Sequence, residues 1–274
     1  MDLDLPHDEL HSREPSDDAI RYSHDDRRAI EEHYRRFFGG HYNSVRHEKV
    51  STAVHVDVYT YGATVDRSYV TVATSGMGAV DVHWRGGERG HPVEIVTYLP
   101  ADWDFSSPET QWLLRRMIEV ARFPHEVREV IGKHHTWCVY DEKNGIANAL
   151  FPGSIFTHWF FRSLIHESED VDHLKLPSGR CVDFIWVYPI TRHELHFGEQ
   201  EKDLLELEAQ LACHAPIPID LYRQCLFAPE GREERRARKR QQKRLARSLP
   251  AVPWMSVHCD YHCRDTTHQC GQVR

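Results

Sequence analysis

The residue pattern predicts an α+β fold, a layered mixed or antiparallel sheet flanked by helices, with a basic C-terminal arm. Three observations carry this. The 274 residues are 40% hydrophobic and 11% aromatic, enough to bury a sizeable core. The apolar period switches along the chain from helical to strand-like and back. The strands come first, as a meander, and helices interleave afterwards; a strict βαβ alternation would instead have argued for a doubly wound parallel sheet.

The elements follow in order. Asp25–Phe38 places Ile30, Tyr34, Phe37 and Phe38 on one side at helical spacing, and Gly39-Gly40 stops that helix. Val54–Tyr59 alternates apolar and polar residues, the pattern of a half-buried strand. A turn from Tyr61-Gly62 to Asp66 leads to a second strand, Tyr69–Thr74, and His91–Leu99 reads as a third, ended by Pro100. Pro108–Ala121 is predicted as a helix, with Ser107 as its cap, proline in its first position, and Trp112, Leu113, Met117 and Val120 sharing a face. His135–Tyr140, Phe151–His158 and Cys181–Tyr188 read as extended or mixed. Gly198–Cys213 reads as one final helix with Leu204, Leu205, Leu207 and Leu211 inward.

Charge divides the chain. The net charge is -8, yet residues 231–247 carry nine Lys or Arg against two Glu, so the remainder sums to -15. The expected organisation is an acidic, disordered lead-in over residues 1–24, a folded domain over 25–228, and a flexible basic and Cys/His-rich tail over 229–274. An acidic body is a poor surface for nucleic acid, which leaves only non-specific, salt-sensitive contact through 231–247, a run with no interleaved aromatics. No apolar run reaches ~18 residues, and the N-terminus lacks a signal-peptide pattern. Seven cysteines, four of them (Cys138, Cys181, Cys213, Cys225) scattered, fit a reduced, cytoplasmic protein without a membrane partner.

Standard catalytic signatures are missing: there is no G-x-S-x-G, no P-loop, no H-E-x-x-H and no dinucleotide fingerprint. Thr74-Ser75-Gly76-Met77-Gly78 follows a strand and reads either as a backbone turn or as a ligand cradle. His134-His135 is the densest histidine pair of the middle region, and if extended its two rings point to opposite faces, so a partner-contacting or structural role outranks catalysis. Thr191 and Glu194 stand at capping-box spacing, which assigns Glu194 to a helix start. In the tail, Cys259, His262, Cys263 and Cys270 are ligand types that zinc prefers, although not at the pair spacing of closed zinc folds; apart from that possible zinc, no cofactor is implied.

Five segments, in order, resemble the Suppressor of fused family. Val54-His55-Val56-Asp57-Val58-Tyr59 followed by Tyr69–Met77 is similar to its "hiDvy" and "y.tlvT.GmS" strands, with Gly78 standing where Ser is more usual. Glu94–Pro100 with Asp102-Trp103 resembles "ElviyLP.dW", Ile131–Thr136 resembles "G.gHT", and Val182–Tyr188 with Pro189-Ile190-Thr191 and Glu194-Leu195 resembles the strand followed by "Pi…El".

This resemblance, to a bacterial-type single-domain member, implies a binding module and not an enzyme. Eukaryotic members grip an extended peptide of a Hedgehog-pathway transcription factor by strand addition, and bacterial members are proposed immunity proteins. The expectation is therefore a protein partner, a toxin domain in particular, neutralised by occlusion at a sheet edge or groove near Phe123, His134, His135 and Trp137. Two other readings stand beside it: a regulator using the tail for metal or nucleic acid, and a hydrolase with a non-standard site.

Overall fold

The helix expected after the lead-in is α1, His24–Phe38. The Ser23 side chain accepts the Asp26 N–H at 3.1 Å, acidic residues sit in the first turn and Arg35 and Arg36 in the last, so both ends suit the helix dipole. The computed structural model describes residues 19–40, 42–48, 51, 53–82, 90–107, 110–141, 143, 146–151, 153–164, 169–200, 204–214 and 217–227. The chain divides into two units, Met1–Ala228 and Pro229–Arg274, and every element named here belongs to the first. The basic run 231–247, the tail and most of the lead-in lie outside the described residues.

The meander has four strands, one more than the sequence indicated: β1 Ser44–Arg46, which was not expected, then β2 Asp57–Tyr61, β3 Tyr69–Ser75 and β4 Val93–Pro100, each antiparallel to the next in sequence. After β4 comes α2, Trp112–Val127, then the short strands β5 Thr136–Trp137, β6 Tyr140–Asp141 and β7 Ile146–Ala147. The chain continues through β8 Phe156–Arg162, β9 His173–Lys175, the eleven-residue β10 Cys181–Thr191, and helices α3 Arg192–Gln200 and α4 Leu204–His214.

The main sheet runs β1-β2-β3-β4-β10-β8-β5, with β9 on β10. β10 lies parallel to β4, Ile185 opposite Ile95, and antiparallel to β8, Val187 opposite Phe161. β9 and β8 take successive stretches of the same side of β10, because Asp183 and Trp186 each have β4 on their other side. A mixed sheet flanked by helices is thus the observed architecture.

Register identifies the two faces. Tyr59 and Tyr61 of β2, Tyr98 of β4 and Phe184, Trp186 and Tyr188 of β10 share one face. There Tyr34 of α1 packs edge-on to Tyr61 and Phe184, with centroids 6.2 and 5.4 Å away. The opposite face carries Ile95, Val187, Trp159 and Trp137 and meets α2 through Leu113, Met117 and Val120, all buried.

Several sequence expectations are corrected. The strand expected from Val54 is β2 and starts at Asp57, and it is buried on both faces, because helices cover each side of the sheet. α2 begins at Trp112 behind Gln111, which makes no side-chain cap, and runs through Pro124; Ser107 instead offers its carbonyl to Thr110 and Gln111 in a preceding turn. The stretch 151–158 becomes strand only from Phe156. The single helix expected over 198–213 is two, α3 and α4, and Leu205 faces out while Leu207 and Leu211 are buried.

A candidate partner-binding edge

β5 is the terminal strand of the sheet path, so among the described residues only one side of its backbone has a strand neighbour. Of the four residues singled out from sequence, all lie at this end of the sheet, but not as one cluster. Trp137 sits on the α2 face and meets Phe123 of α2 edge-on, centroids 6.4 Å apart at 81°. Both rings are half-buried.

His134 points the other way. It lies in the turn before β5 with φ +67°, so the pair is not a strand with alternating faces as the sequence suggested. Its N–H donates to the Phe161 carbonyl at 2.7 Å, and the His135 carbonyl accepts from the Phe161 N–H at 3.0 Å, which extends the β8–β5 ladder past its last strand residue. Nε2 of His134 lies 2.6 Å from Oε2 of Glu208 on α4, and Oε1 of the same carboxylate accepts the Ser163 N–H at 3.0 Å. Burial would raise the Glu208 carboxyl, but the bonds from His134 and Ser163 outweigh it and hold the group below its ordinary value. His135 is exposed, its Nδ1 3.2 Å from the Val130 carbonyl. The edge therefore presents an aromatic pair on one side, a His–Glu pair on the other, and an open strand between them.

Glu208 was hidden in sequence, reading as the polar face of a final helix. Arg162 was hidden too: it is fully buried, its guanidinium 4.5 Å from the Trp186 centroid and 5.3 Å from that of Tyr188, with one bond to the Glu208 carbonyl. Burial lowers its pKa to about 10.

The glycine loop after β3 is a cradle, and its occupant is internal. The N–H groups of Gly76 and Gly78 both donate to Glu94 Oε1 at 2.9 Å, Tyr22 Oη donates to the same oxygen at 2.8 Å, and Thr74 Oγ1 donates to Oε2 at 2.7 Å. Burial in the middle of the sheet still pushes the Glu94 carboxyl up against these four donors. Gly76 has φ +131°, and a Cβ there would stand 1.9 Å from the His55 carbonyl oxygen. The loop thus serves the fold. Glu194 likewise does what its spacing indicated: Thr191 N–H donates to Oε2 at 2.8 Å and Glu194 N–H donates to Thr191 Oγ1 at 3.2 Å.

At the other end of the sheet, beside β1, a cleft of about 510 Å³ is lined by Gly39, Asn43, Thr60, Thr64, Trp103 and Phe105. The tail ligands Cys259, His262, Cys263 and Cys270 lie outside the described residues. No helix among the described residues is long and apolar enough to cross a membrane.

The profile of the family described as Suppressor of fused protein matches residues 52–224, a span holding every strand from β2 to β10 together with α2, α3 and α4. The chain belongs to the Suppressor of fused family. A crystal structure of a Suppressor of fused homologue from Neisseria gonorrhoeae superposes with a TM-score of 0.53 at 15% identity, covering 74% of this chain and 97% of that one. A chain of the Sufu–Fu complex superposes with a TM-score of 0.50 at 13% identity, covering 74% of this chain and 93% of that one. No curated protein matches by sequence. At such identities the likeness concerns the fold.

Proposed function

We propose that this Suppressor of fused domain is a non-enzymatic, cytoplasmic protein-binding module that neutralises a toxin domain by occlusion, as a bacterial immunity protein. Supporting it are family membership and the presence of a relative of this fold in a protein complex, Sufu–Fu. The observation that carries the site is the β5 edge, an open strand flanked by the Phe123–Trp137 pair. An extended segment laid along β5 gains main-chain hydrogen bonds, and the two rings form one wall that reads its side chains. Half-buried aromatic residues are the kind of anchor that dominates interface energies. The residues outside 231–247 sum to -15, so a basic partner is drawn in by long-range attraction. A rigid sheet edge occludes by covering and has no need of a reaction.

The test is pull-down of the intact chain from native lysate at moderate salt, then titration of the recovered partner against variants. A single stoichiometric partner bearing a toxin domain is expected, with Trp137→Ala and Phe123→Ala each weakening it at least tenfold. A partner that binds both variants as tightly as the parent chain would remove β5 as the site. Recovery of nucleic acid alone would overturn the binding-module reading.

A further inference from the structure

His47, His55 and Asp57 converge just ahead of and within the start of β2, and nothing in the proposed function uses them. Nδ1 of His47 lies 2.9 Å and Nε2 of His55 lies 3.1 Å from the same oxygen, Oδ1 of Asp57, and the three atoms fall within 4.8 Å of one another. Asp57 is buried, His55 is nearly so and His47 is exposed, which gives a fixed floor with one adjustable arm.

The hydrogen bonding behind His55 decides its tautomer. Glu48 is paired with Arg122 and takes the Val56 N–H at 3.1 Å on Oε2, so its carboxylate is an acceptor. Ser51 Oγ therefore donates its single proton to Glu48 Oε2, at 2.7 Å. That leaves Ser51 Oγ as acceptor toward His55 Nδ1 at 2.9 Å, and Nδ1 must carry the ring proton. With Nδ1 committed to Ser51, Nε2 is the ring nitrogen that His55 turns toward the Asp57 oxygen, 3.1 Å away.

We propose that His47 Nδ1, His55 Nε2 and Asp57 Oδ1 form a site for a divalent first-row metal ion, zinc in the first instance. Two imidazoles and a carboxylate are ligands of that class, and a histidine ligand whose other nitrogen is held by an outer partner, here Ser51 fixed by Glu48 and Arg122, is the usual supporting arrangement. Zinc–ligand bonds of about 2.0–2.2 Å put tetrahedral donors roughly 3.3–3.5 Å apart. The two distances to Asp57 need to open by only a few tenths of an ångström, and the exposed His47 arm supplies the closure between the two nitrogens. Water from the solvent side completes the shell.

The experiment uses the full chain with Cys259, Cys263 and Cys270 changed to serine, so that the tail contributes no thiolate. The metal-stripped protein is titrated with zinc by calorimetry at neutral pH and, separately, loaded with cobalt(II). One equivalent of zinc is expected, with a cobalt spectrum of nitrogen and oxygen ligands free of thiolate charge transfer. His47→Ala, a change at an exposed position that leaves the fold intact, is expected to weaken zinc at least tenfold, and Asp57→Asn to abolish it. Failure to bind one equivalent, or equal affinity in His47→Ala, overturns the site. So does nitrogen NMR showing His55 protonated on both nitrogens in the presence of excess zinc.

Discussion

Arg223 grips Glu194 with a fork: Nη1 donates to Oε1 at 2.5 Å and Nη2 to Oε2 at 2.9 Å, both side chains being almost wholly buried. Nη2 also donates to the Pro189 carbonyl at 2.9 Å, and the Leu226 N–H donates to Glu194 Oε1 at 2.9 Å. One carboxylate thus closes the start of α3 and anchors the segment 217–227 to the end of β10. Removing one partner of a buried pair strands the other charge, so Arg223→Ala is expected to lose about 3–5 kcal/mol. Equilibrium urea denaturation checks this, and the double variant Arg223→Met/Glu194→Met should recover part of the loss.

Gly76→Ala should be among the most damaging single changes outside the hydrophobic core. The new methyl meets the His55 carbonyl oxygen at 1.9 Å, and the backbone holds φ +131°. The expected loss is about 3 kcal/mol or more, since both strain and a displaced backbone contribute. Gly153→Ala is the control: its φ is +78°, but among the described residues no atom lies within 4 Å of the added carbon, so only the conformational cost of about 1 kcal/mol applies. Thermal melting separates the two.

Glu94 ties stability to pH. Its folded carboxyl sits above the ordinary value of about 4.3 because burial outweighs its four donors. The folded state therefore holds the proton more tightly than the unfolded chain. Its contribution is fully present below the unfolded value and is lost as pH rises through the higher folded value. Glu94→Gln removes that dependence. The stability difference, parent minus variant, is expected to fall from pH 4 upward in urea titrations; a difference that rose with pH would contradict the placement of this group.

His134 separates strain from contact. His134→Ala breaks the 2.6 Å contact with Glu208 and keeps a side chain at φ +67°, and a cost of about 1–2 kcal/mol is expected. His134→Gly loses the same contact but relieves the backbone, so it should be the more stable of the two by about 1 kcal/mol. Chemical denaturation of both variants orders them.

Much of this was legible in sequence, for identifiable reasons. α1, β3 and β4 carry their own local signals: a clean helical period ended by glycines, and segments rich in β-branched and aromatic residues. The Thr191–Glu194 box was readable because its spacing is its mechanism. The start of α2 was misread because Ser107-Pro108 is a good local start signal that a turn used instead. Asp57 completed the alternation that read as a half-buried strand; in the structure the strand is buried on both faces and Asp57 pairs with two histidines. Glu208 and Arg223 were invisible because their partners lie 74 and 29 residues away, a distance that no local period encodes. The four edge residues were located together, but their division between two faces followed from the positive φ of His134, which histidine does not announce.

The parallel seam between β4 and β10 has a consequence for how the protein is made. The meander β1–β4 pairs only with its neighbours in sequence, whereas β4 receives its second partner from residues 183–186, about ninety positions later. During synthesis the meander is complete once Pro100 has emerged, and the other side of β4, in a strand whose residues Val93–Leu99 are all buried in the finished fold, stays open until β10 is made. An open, apolar strand edge is a template for pairing with another chain. A chain truncated between Pro100 and Thr191 is therefore expected to self-associate through β4, which sedimentation of such truncated chains checks.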